Sequence, residues 1–277
     1  MSEELRLRIV SAIVLAIVVL AATWLGGIYF AVLAIVIAIL VYYEWTRITD
    51  ARSRDPEAYW VGWGAIALIA FDVLVEEGTD AWNEYLWGAV ALLFIYALIR
   101  AKNRWNPAGV VYAGLTGVSL AEIRGDDFTG FIAMIFIFAV VWGTDIAAYF
   151  TGRAIGGKKL ARSISPGKTW SGAIGGAVAA VICGALVVLC YMKQVSLWTV
   201  ALAFLLSVFS QVGDLFESFM KRRYKVKDSS HLIPGHGGVM DRIDGLVFAC
   251  SGAFILKMLL SSWNHGVGTF ILGAVSQ

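Results

Sequence analysis

The sequence predicts an all-α integral membrane protein, a polytopic helical bundle with about nine transmembrane helices and a cytoplasmic N-terminus. Composition is the first reason, because 59% of the 277 residues are hydrophobic and only 15% are charged. The mean hydropathy of +0.76 lies far outside the range of soluble globular proteins. The other two reasons are a series of long apolar runs and the distribution of lysine and arginine around them.

The apolar runs follow one another along the whole chain. They cover residues 9–25, 28–43, 59–75, 85–99, 107–121, 131–151, 170–192, 196–217 and 245–262. A helix needs about 20 apolar residues to cross the hydrocarbon core, so the runs at 85–99 and 107–121 are marginal. No convincing signal-peptide cleavage site follows the first run, and a second run begins almost at once, so we interpret the first as a span.

The orientation follows from the basic residues, since cytoplasmic loops are enriched in lysine and arginine. With the N-terminus inside, 19 of the 22 lysines and arginines fall in cytoplasmic segments. Arg124 and Lys193 fall outside, together with the acidic segment 76–84, and Lys257 lies within the last run. This pattern favours nine spans with the C-terminus outside.

We expect one integral membrane domain over residues 1–277, because the chain shows no repeat, low-complexity linker or soluble segment. Residues 1–130 are predicted to be mainly scaffold spans. Residues 131–262 are predicted to carry the catalytic spans and loops, since the unusual polar groups lie between residues 143 and 245. The net charge of +2 is small, and nucleic acid is not an expected partner.

The three cysteines do not indicate a redox function. They lie inside apolar runs without the spacing of metal ligands, so we interpret them as small buried hydrophobic residues: Cys183, Cys190 and Cys250.

Asp145 lies within the sixth apolar run, where a charge is costly unless it is solvated or paired. Tyr149 follows one helical turn later and Arg153 another, so the three side chains can share one face. Asp145 is therefore either a functional carboxylate open to the cytoplasm or a structural partner of an arginine such as Arg153.

The next loop, GRAIGGKKLARSISPGKTWSG, combines glycines with five basic side chains. Glycines permit close backbone approach, and lysine and arginine bind phosphate oxygens. The GxxxxGK[ST] spacing of a Walker loop is absent. Alone, the loop could be a topology signal, but Ser165, Lys168 and Thr169 gain interest beside a nearby acidic cluster.

That acidic cluster lies at the cytoplasmic ends of the last two runs. Asp214, Glu217, Ser218 and Lys221 are spaced to share one helical face, and Asp241 and Asp244 begin the following helix three residues apart. The second pair could be an N-cap arrangement and nothing more. Capping explains neither Asp214 nor the neighbouring basic residues.

Between these helices, PGHGG at residues 234–238 can expose several backbone N–H groups to phosphate oxygens. Carboxylates on two helix ends can hold Mg²⁺, which usually shares its coordination with substrate phosphates. His236 could be a base, a phosphate donor or a surface histidine without a role. A metal and a nucleotide are thus indicated together.

These residues resemble the signature of the phosphatidate cytidylyltransferases, also called CDP-diacylglycerol synthases. In SFMKRRYKVKDSSHLIPGHGGVMDRID, residues 218–244, every fixed position of S-x-x-K-R-x-x-x-x-K-D and P-G-H-G-G-x-x-D-R-x-D is filled. Upstream, Asp145 begins a D-x-x-A-Y-x-x-G-R block and Ser165 an S-P-x-K-T block. After K-T-W many members carry glutamate, and this chain has Ser171 instead.

The resemblance implies the reaction of CTP with phosphatidate to give CDP-diacylglycerol and pyrophosphate, a step of phospholipid biosynthesis. It also implies Mg²⁺, a second and monovalent cation such as K⁺, and a homodimer in the bilayer. We expect the active site at the cytoplasmic face of the bacterial inner membrane.

By this resemblance, three sets of residues are the candidates. Metal would bind to Asp214 and Asp241, with Asp244 binding directly or through another ligand. The candidate catalytic residues are Asp145, Lys168, Ser218, Lys221, Arg222, His236, Asp241 and Asp244. The candidate substrate-binding residues are Ser165, Lys168, Lys221, Arg222, Lys227, Gly235, His236, Gly237, Gly238 and Arg242.

Two other functions stay open from the residues. A CTP-dependent lipid kinase, of the polyprenol or phytol type, would use similar elements but transfer the γ-phosphoryl group and release CDP. A transporter could also need Asp145 and clustered aspartates, although it would not need PGHGG flanked by basic residues.

Overall fold

Helices dominate the structure, a computed structural model that describes residues 3–75, 80–260 and 266–273. The helices are α1 (Glu3–Leu25), α2 (Gly27–Thr49), α3 (Ala51–Arg54), α4 (Pro56–Leu74), α5 (Asp80–Arg100), α6 (Trp105–Arg124), α7 (Phe128–Ile155), α8 (Trp170–Met192), α9 (Leu197–Arg223), α10 (Met240–Leu260) and α11 (Val267–Leu272). The acidic segment 76–84 lies outside the residues and side chains that are described.

Seven helices in the described ranges are long and apolar enough to cross a membrane. They are α1, α2, α4, α7, α8, α9 and α10. The predicted class, an all-α membrane protein, is therefore confirmed. Helices α5 and α6, which stand outside this set, correspond to the two runs that the sequence marks as marginal, and the count of nine spans stays a prediction.

Capping residues mark both ends of α7 and the start of α8, and so bound the polar loop of residues 156–169. Asp127 accepts a hydrogen bond from Gly130 N at 2.7 Å and begins α7. Gly156 ends α7 with φ of 65°, a left-handed value that favours glycine. Thr169 begins α8 by accepting from Gly172 N at 3.1 Å. These caps fix where the apolar helices stop and the polar loop begins.

A small antiparallel hairpin, which the sequence analysis did not predict, lies between α7 and α8. Strand β1 (Lys159–Ala161) pairs with β2 (Ser165–Thr169), with Lys159 opposite Thr169 and Ala161 opposite Ser165. The pairing is irregular between Lys159 and Ala161. The hairpin pairs the S-P-x-K-T block, which directly precedes α8, with residues that follow α7.

The chain divides into two compact units. Unit 1 comprises Met1–Ala121 and Tyr224–Arg242, and unit 2 comprises Glu122–Arg223 and Ile243–Gln277. The predicted boundary at residue 130 and the single domain over 1–277 stay predictions.

The core of unit 1 is built from aromatic side chains of α2, α4 and α6. The Trp45 indole, only 1% exposed, donates to Trp105 O at 2.7 Å and lies 5.3 Å from the Tyr112 ring. Tyr42 meets Trp63 edge to face at 5.0 Å between ring centroids. Trp45 and Tyr42, whose hydroxyl donates to Tyr59 O at 3.4 Å, thus combine apolar contact with a hydrogen-bonded polar end.

In unit 2, α7 and α8 share the most extensive interface between described elements. Small residues four apart on α8 line it, namely Gly172, Gly176, Ala180 and Gly184. A Cβ on Gly176 would lie 2.9 Å from Thr144 O, and one on Gly172 would lie 2.8 Å from Ala148 O. The two backbones therefore approach as closely as small-residue stripes allow in membrane helices.

Candidate active site

Lys168 and Asp214 form an ion pair at the polar end of unit 2. Lys168 comes from β2 and Asp214 from α9, and their side chains are 25% and 38% exposed. The pair is thus reachable by a ligand from solvent. The hairpin places Lys168 against Asp214. From the sequence, Lys168 was of interest only if it lay beside the acidic residues, and this condition is met.

Two further carboxylates lie near this ion pair. Asp145 of α7 and Asp244 of α10 each lie close enough to Asp214 for direct charge repulsion. Lys168 attracts both of them. We call Asp145, Asp214 and Asp244 the acidic cluster. Three like charges beside one lysine leave a site that favours a further cation.

A cavity of about 530 Å³ opens beside this cluster. It is lined by Thr144, Asp145, Ala148, Tyr149, Gly152, Arg153, Lys159, Leu160, Gly167, Lys168, Thr169, Gly172, Ala173, Gln211 and Asp214. Asp145, Tyr149 and Arg153 therefore do share one face of α7, and Arg153 donates to the Tyr149 hydroxyl at 2.8 Å. Lys159, which was not among the predicted site residues, adds a positive charge from β1.

Ser171, the departure from the family pattern, holds the start of α8 in place. Its hydroxyl donates to Gly156 O at 2.5 Å and lies 3.0 Å from the Thr169 hydroxyl. It therefore ties the first turn of α8 to the C-cap of α7, beside the residues that line the cavity. Ser165, another predicted site residue, is half-buried in β2 and pairs with Ala161.

The basic end of α9 carries several other predicted residues. Asp214, Glu217, Ser218 and Lys221 lie on one continuous helix, as predicted. The Lys221 ammonium lies 2.6 Å from the buried Glu217 carboxylate, which is 2% exposed. Ser218 is half-buried, Arg222 is exposed at the end of α9, and Lys227 is exposed in the loop that follows.

Asp241 lies in unit 1 and holds a loop together. One carboxylate oxygen accepts from Gly238 N at 2.8 Å and from Ser229 N at 3.0 Å, and it lies 3.0 Å from the Ser229 hydroxyl. The other oxygen accepts from Ser229 N at 3.2 Å. These N–H groups belong to the preceding loop and not to α10, so the contacts of Asp241 differ from the N-cap arrangement considered from the sequence. A metal-binding role for Asp241 stays a prediction.

The PGHGG turn is also described within unit 1. Gly235 and Gly237 have φ of 74° and 84°, in the left-handed region that favours glycine. Nδ1 of His236 lies 2.8 Å from the Ser11 hydroxyl of α1, so this contact orients the imidazole. Arg242 donates from Nε to His236 O at 3.0 Å. The turn is therefore a fixed structure and not an open basic loop.

Glu44 is the buried group that sequence reasoning missed. This side chain of α2 is 0% exposed and accepts hydrogen bonds from residues on both sides of the PGHGG turn. The only signal in the sequence is one acidic residue near the end of an apolar run. That signal is common at membrane boundaries and does not identify a partner.

The acidic cluster can be compared with the oxygen ligands that Mg²⁺ prefers. Within the described residues, no group of three or more histidine, cysteine, aspartate or glutamate side chains could hold a metal ion by itself. Mg²⁺ is usually held by one or two carboxylates and completes its coordination with substrate phosphates and water. The oxygen donors of the acidic cluster fit a Mg²⁺ ion shared with a phosphate, and do not require a closed protein cage.

Comparison with known proteins identifies the family. The sequence model of the cytidylyltransferase family matches residues 6–260. A phosphatidate cytidylyltransferase of Brucella suis biovar 1 is 45% identical over 260 residues, which cover 94% of this chain and 95% of the relative. The proteins of the same name from Haemophilus influenzae and Bacillus subtilis are 34% and 29% identical, and the matches cover 88% and 93% of this chain and 96% and 99% of the relatives.

The match therefore extends well beyond the motif of residues 218–244, because it includes the N-terminal helices. The resemblance inferred from the motif is confirmed, and the chain belongs to the cytidylyltransferase family.

Proposed function

We propose that the protein transfers the cytidylyl group of CTP to phosphatidate and thereby forms CDP-diacylglycerol and pyrophosphate. The observation that carries this proposal is the Lys168–Asp214 pair with Asp145 and Asp244 beside a cavity in a membrane protein. Relatives that bear the name phosphatidate cytidylyltransferase support the same reaction.

The reaction joins a phosphate oxygen of phosphatidate to the α-phosphorus of CTP. The bond from that phosphorus to the β-phosphate oxygen breaks, and pyrophosphate leaves with the bonding electrons. The attacking oxygen is already anionic, so the reaction needs in-line placement and charge neutralisation more than a strong base. Lys168 and Lys159 line the cavity and supply positive charge for this purpose.

Mg²⁺ would be held by Asp214 and Asp244 of the acidic cluster, with Asp241 as a further candidate. When bound, Mg²⁺ would neutralise the charge of the transferring phosphates. Asp145, the third carboxylate of the acidic cluster, would orient the metal and the phosphates bound there. A monovalent cation such as K⁺ is proposed as a second ion, with no residue assigned to it.

The other substrate contacts that we propose lie on α9 and in the PGHGG turn. Ser218, Lys221 and Arg222 would contact substrate from α9. In unit 1, His236 and the backbone N–H groups of Gly235 and Gly237 would bind phosphate, and Lys227 and Arg242 would add positive charge. Gly238 N donates to Asp241, so Gly238 would contribute through the shape of the turn. The left-handed glycines support this role, because such turns can direct successive N–H groups at an anion.

For the whole molecule we propose nine spans, with the N-terminus and the site at the cytoplasmic face of the bacterial inner membrane. The bias of lysine and arginine supports this orientation. Helices α5 and α6 would be the two spans beyond the seven clear candidates.

We also propose a homodimer. The acyl chains of phosphatidate would stay in the bilayer while its phosphate reaches the site.

The test is a product assay with the purified protein in lipid nanodiscs. CTP and phosphatidate are supplied with Mg²⁺ or with EDTA, and lipids and nucleotides are analysed by mass spectrometry. We expect CDP-diacylglycerol and pyrophosphate in equal amounts, only with Mg²⁺ and phosphatidate present. CDP with an unchanged phosphatidate pool, or tight CTP binding without turnover, would contradict the proposal.

A further inference from the structure

Glu44 is a fully buried acidic side chain with four hydrogen-bond donors around its carboxylate. Oε1 accepts from the Ser230 hydroxyl at 2.5 Å and from Val239 N at 2.8 Å. Oε2 accepts from the Ser229 hydroxyl at 2.9 Å and from Met240 N at 2.7 Å. Each oxygen therefore receives one hydroxyl and one backbone N–H.

These four donors come from the two ends of one loop. Ser229 and Ser230 lie before the PGHGG turn, and Val239 and Met240 come after it. The carboxylate thus joins the start of the loop to its end, and we call residues 229–240 the Glu44 loop. Fixing both ends at one point reduces the number of conformations open to the residues between them.

The space around the carboxylate is filled. A Cβ on Gly238 would lie 2.5 Å from Glu44 Oε1, so only glycine fits there without displacement. Inside the loop, His236 N donates to Ile233 O and Ile233 N donates to Gly237 O, both at 2.9 Å. The ends held by Glu44 and the turn held by these two bonds form one continuous hydrogen-bonded structure.

Apolar packing alone would not require a carboxylate at this position. Burying a charge is costly unless it is fully hydrogen-bonded, and the residues beside Glu44 on the buried face of α2 are apolar or aromatic, such as Val41 and Trp45. A leucine would fill similar space but could not accept from Val239 N and Met240 N. The carboxylate therefore serves the loop rather than the core.

We propose that Glu44 is a positioning residue for the reaction. By joining the ends of the Glu44 loop, it holds the His236 imidazole and the Gly237 N–H group in the arrangement that binds a substrate phosphate. This inference rests on the proposed function, in which the PGHGG turn contacts substrate.

Glu44→Gln is the sharpest variant, because its amide keeps the size of the side chain. A serine hydroxyl can rotate to accept from the new NH₂ group, but a backbone N–H cannot. In either orientation of the amide, its NH₂ group faces Val239 N or Met240 N, so two donors meet and that hydrogen bond is lost. The matched control is Thr46→Val on the same helix, since the buried Thr46 hydroxyl donates to Tyr43 O of its own helix at 2.9 Å.

The first measurement is hydrogen–deuterium exchange of the purified protein in nanodiscs, and it does not depend on activity. In Glu44→Gln we expect peptides covering residues 229–240 to exchange at least about tenfold faster, as for a lost hydrogen bond to a buried group. Peptides from α7 and α8 should keep their wild-type rates, and Thr46→Val should match the wild type throughout. Wild-type exchange of the loop in Glu44→Gln would overturn the proposal.

The second measurement asks whether Glu44 acts through His236. Glu44→Gln should lower kcat at least about tenfold in the wild-type background and less than about twofold in His236→Ala, because interacting residues are not additive. An equal loss in both backgrounds would overturn the proposal, as a general loss of stability gives that result. If His236→Ala has no measurable turnover, the exchange result decides.

Ser230→Ala covers the case in which Glu44→Gln does not fold. It removes one donor and leaves both backbone bonds to Glu44, so exchange and kcat should change in the same direction but less. No change in loop exchange would again overturn the proposal. If the wild-type protein makes no CDP-diacylglycerol, the proposed function fails, and the exchange result still shows whether Glu44 holds the loop.

Discussion

Asp214 lies at the centre of the acidic cluster, since it pairs with Lys168 and interacts with both other carboxylates. Asp214→Asn keeps the shape of the side chain and removes its charge. We expect kcat for CDP-diacylglycerol formation to fall at least about 100-fold, as for loss of a charge that stabilises a phosphoryl transition state. The rate should be measured over a Mg²⁺ titration.

The control for this variant is Asp50→Asn at an exposed helix end. Asp50 pairs with Arg54 at 3.0 Å, an exposed pair that contributes little to stability. Its φ of 53° is also accepted by asparagine. Turnover of Asp50→Asn should match the wild type. Wild-type turnover of Asp214→Asn in folded protein would contradict the role given to the acidic cluster.

Ser171 gives a milder prediction. Ser171→Ala removes the hydrogen bond to Gly156 O, worth about 1 kcal/mol in a typical protein, and adds no clash. We expect the melting temperature in detergent to fall by a few degrees while kcat stays within about threefold. A loss of kcat without a change in melting temperature would show that the hydroxyl serves the reaction directly.

At the residue scale, the sequence predicted groups that carry recognisable chemistry. Asp214 and Lys168 were selected because carboxylates and lysines occur in a specific spacing, and the structure places them in contact. Glu44 and Ser11 were missed. Each meets residues more than 180 positions away, and a single polar residue in an apolar helix does not reveal such a partner.

The cavity is lined by residues of both α7 and α8, so it depends on how these two helices pack. Gly176→Ala should test it, since the added Cβ would lie 2.9 Å from Thr144 O. We expect a loss of about 1–3 kcal/mol from overpacking, even though alanine is the better helix former. Thermal unfolding in detergent is the measurement.

Gly64→Ala on α4 is the matched helical control, because its Cβ would meet Leu93 at an ordinary 3.9 Å. This variant should be as stable as the wild type or slightly more stable. Equal melting temperatures for both glycine variants would contradict the close packing of α7 and α8.

At the element scale, apolar length predicted the helices well. The run at 170–192 coincides with α8, since Thr169 caps its start and polar residues follow its end. The hairpin of residues 159–169 was missed, because two strands of three and five residues are too short to show an alternating pattern. Its pairing depends on backbone hydrogen bonds, which side-chain type does not specify.

The topology of the whole molecule can be tested on either side of α8. Single cysteines are introduced as Ser163→Cys in the hairpin turn and Gln194→Cys after α8, with the three native cysteines replaced by alanine. An impermeant maleimide should label Ser163→Cys only in inside-out vesicles and Gln194→Cys only in right-side-out vesicles, following the basic residues before α8. The reverse labelling would contradict the proposed orientation.

The membrane class of the whole molecule was predictable because composition averages over all residues. The two units were not, since residues 224–242 join the unit of the N-terminal helices through contacts such as Glu44 to Met240, which are 196 positions apart. Hydropathy describes each span by itself and carries no information on such pairs.

The central claim is cytidylyl transfer at the acidic cluster, and CTP labelled at either the α- or the γ-phosphorus tests it most directly. With wild-type protein, phosphatidate and Mg²⁺, the α-label should enter the lipid fraction and the γ-label should leave as pyrophosphate, and Asp214→Asn should abolish both. Lipid labelled from the γ-position, or unchanged α-label transfer in Asp214→Asn, would contradict it.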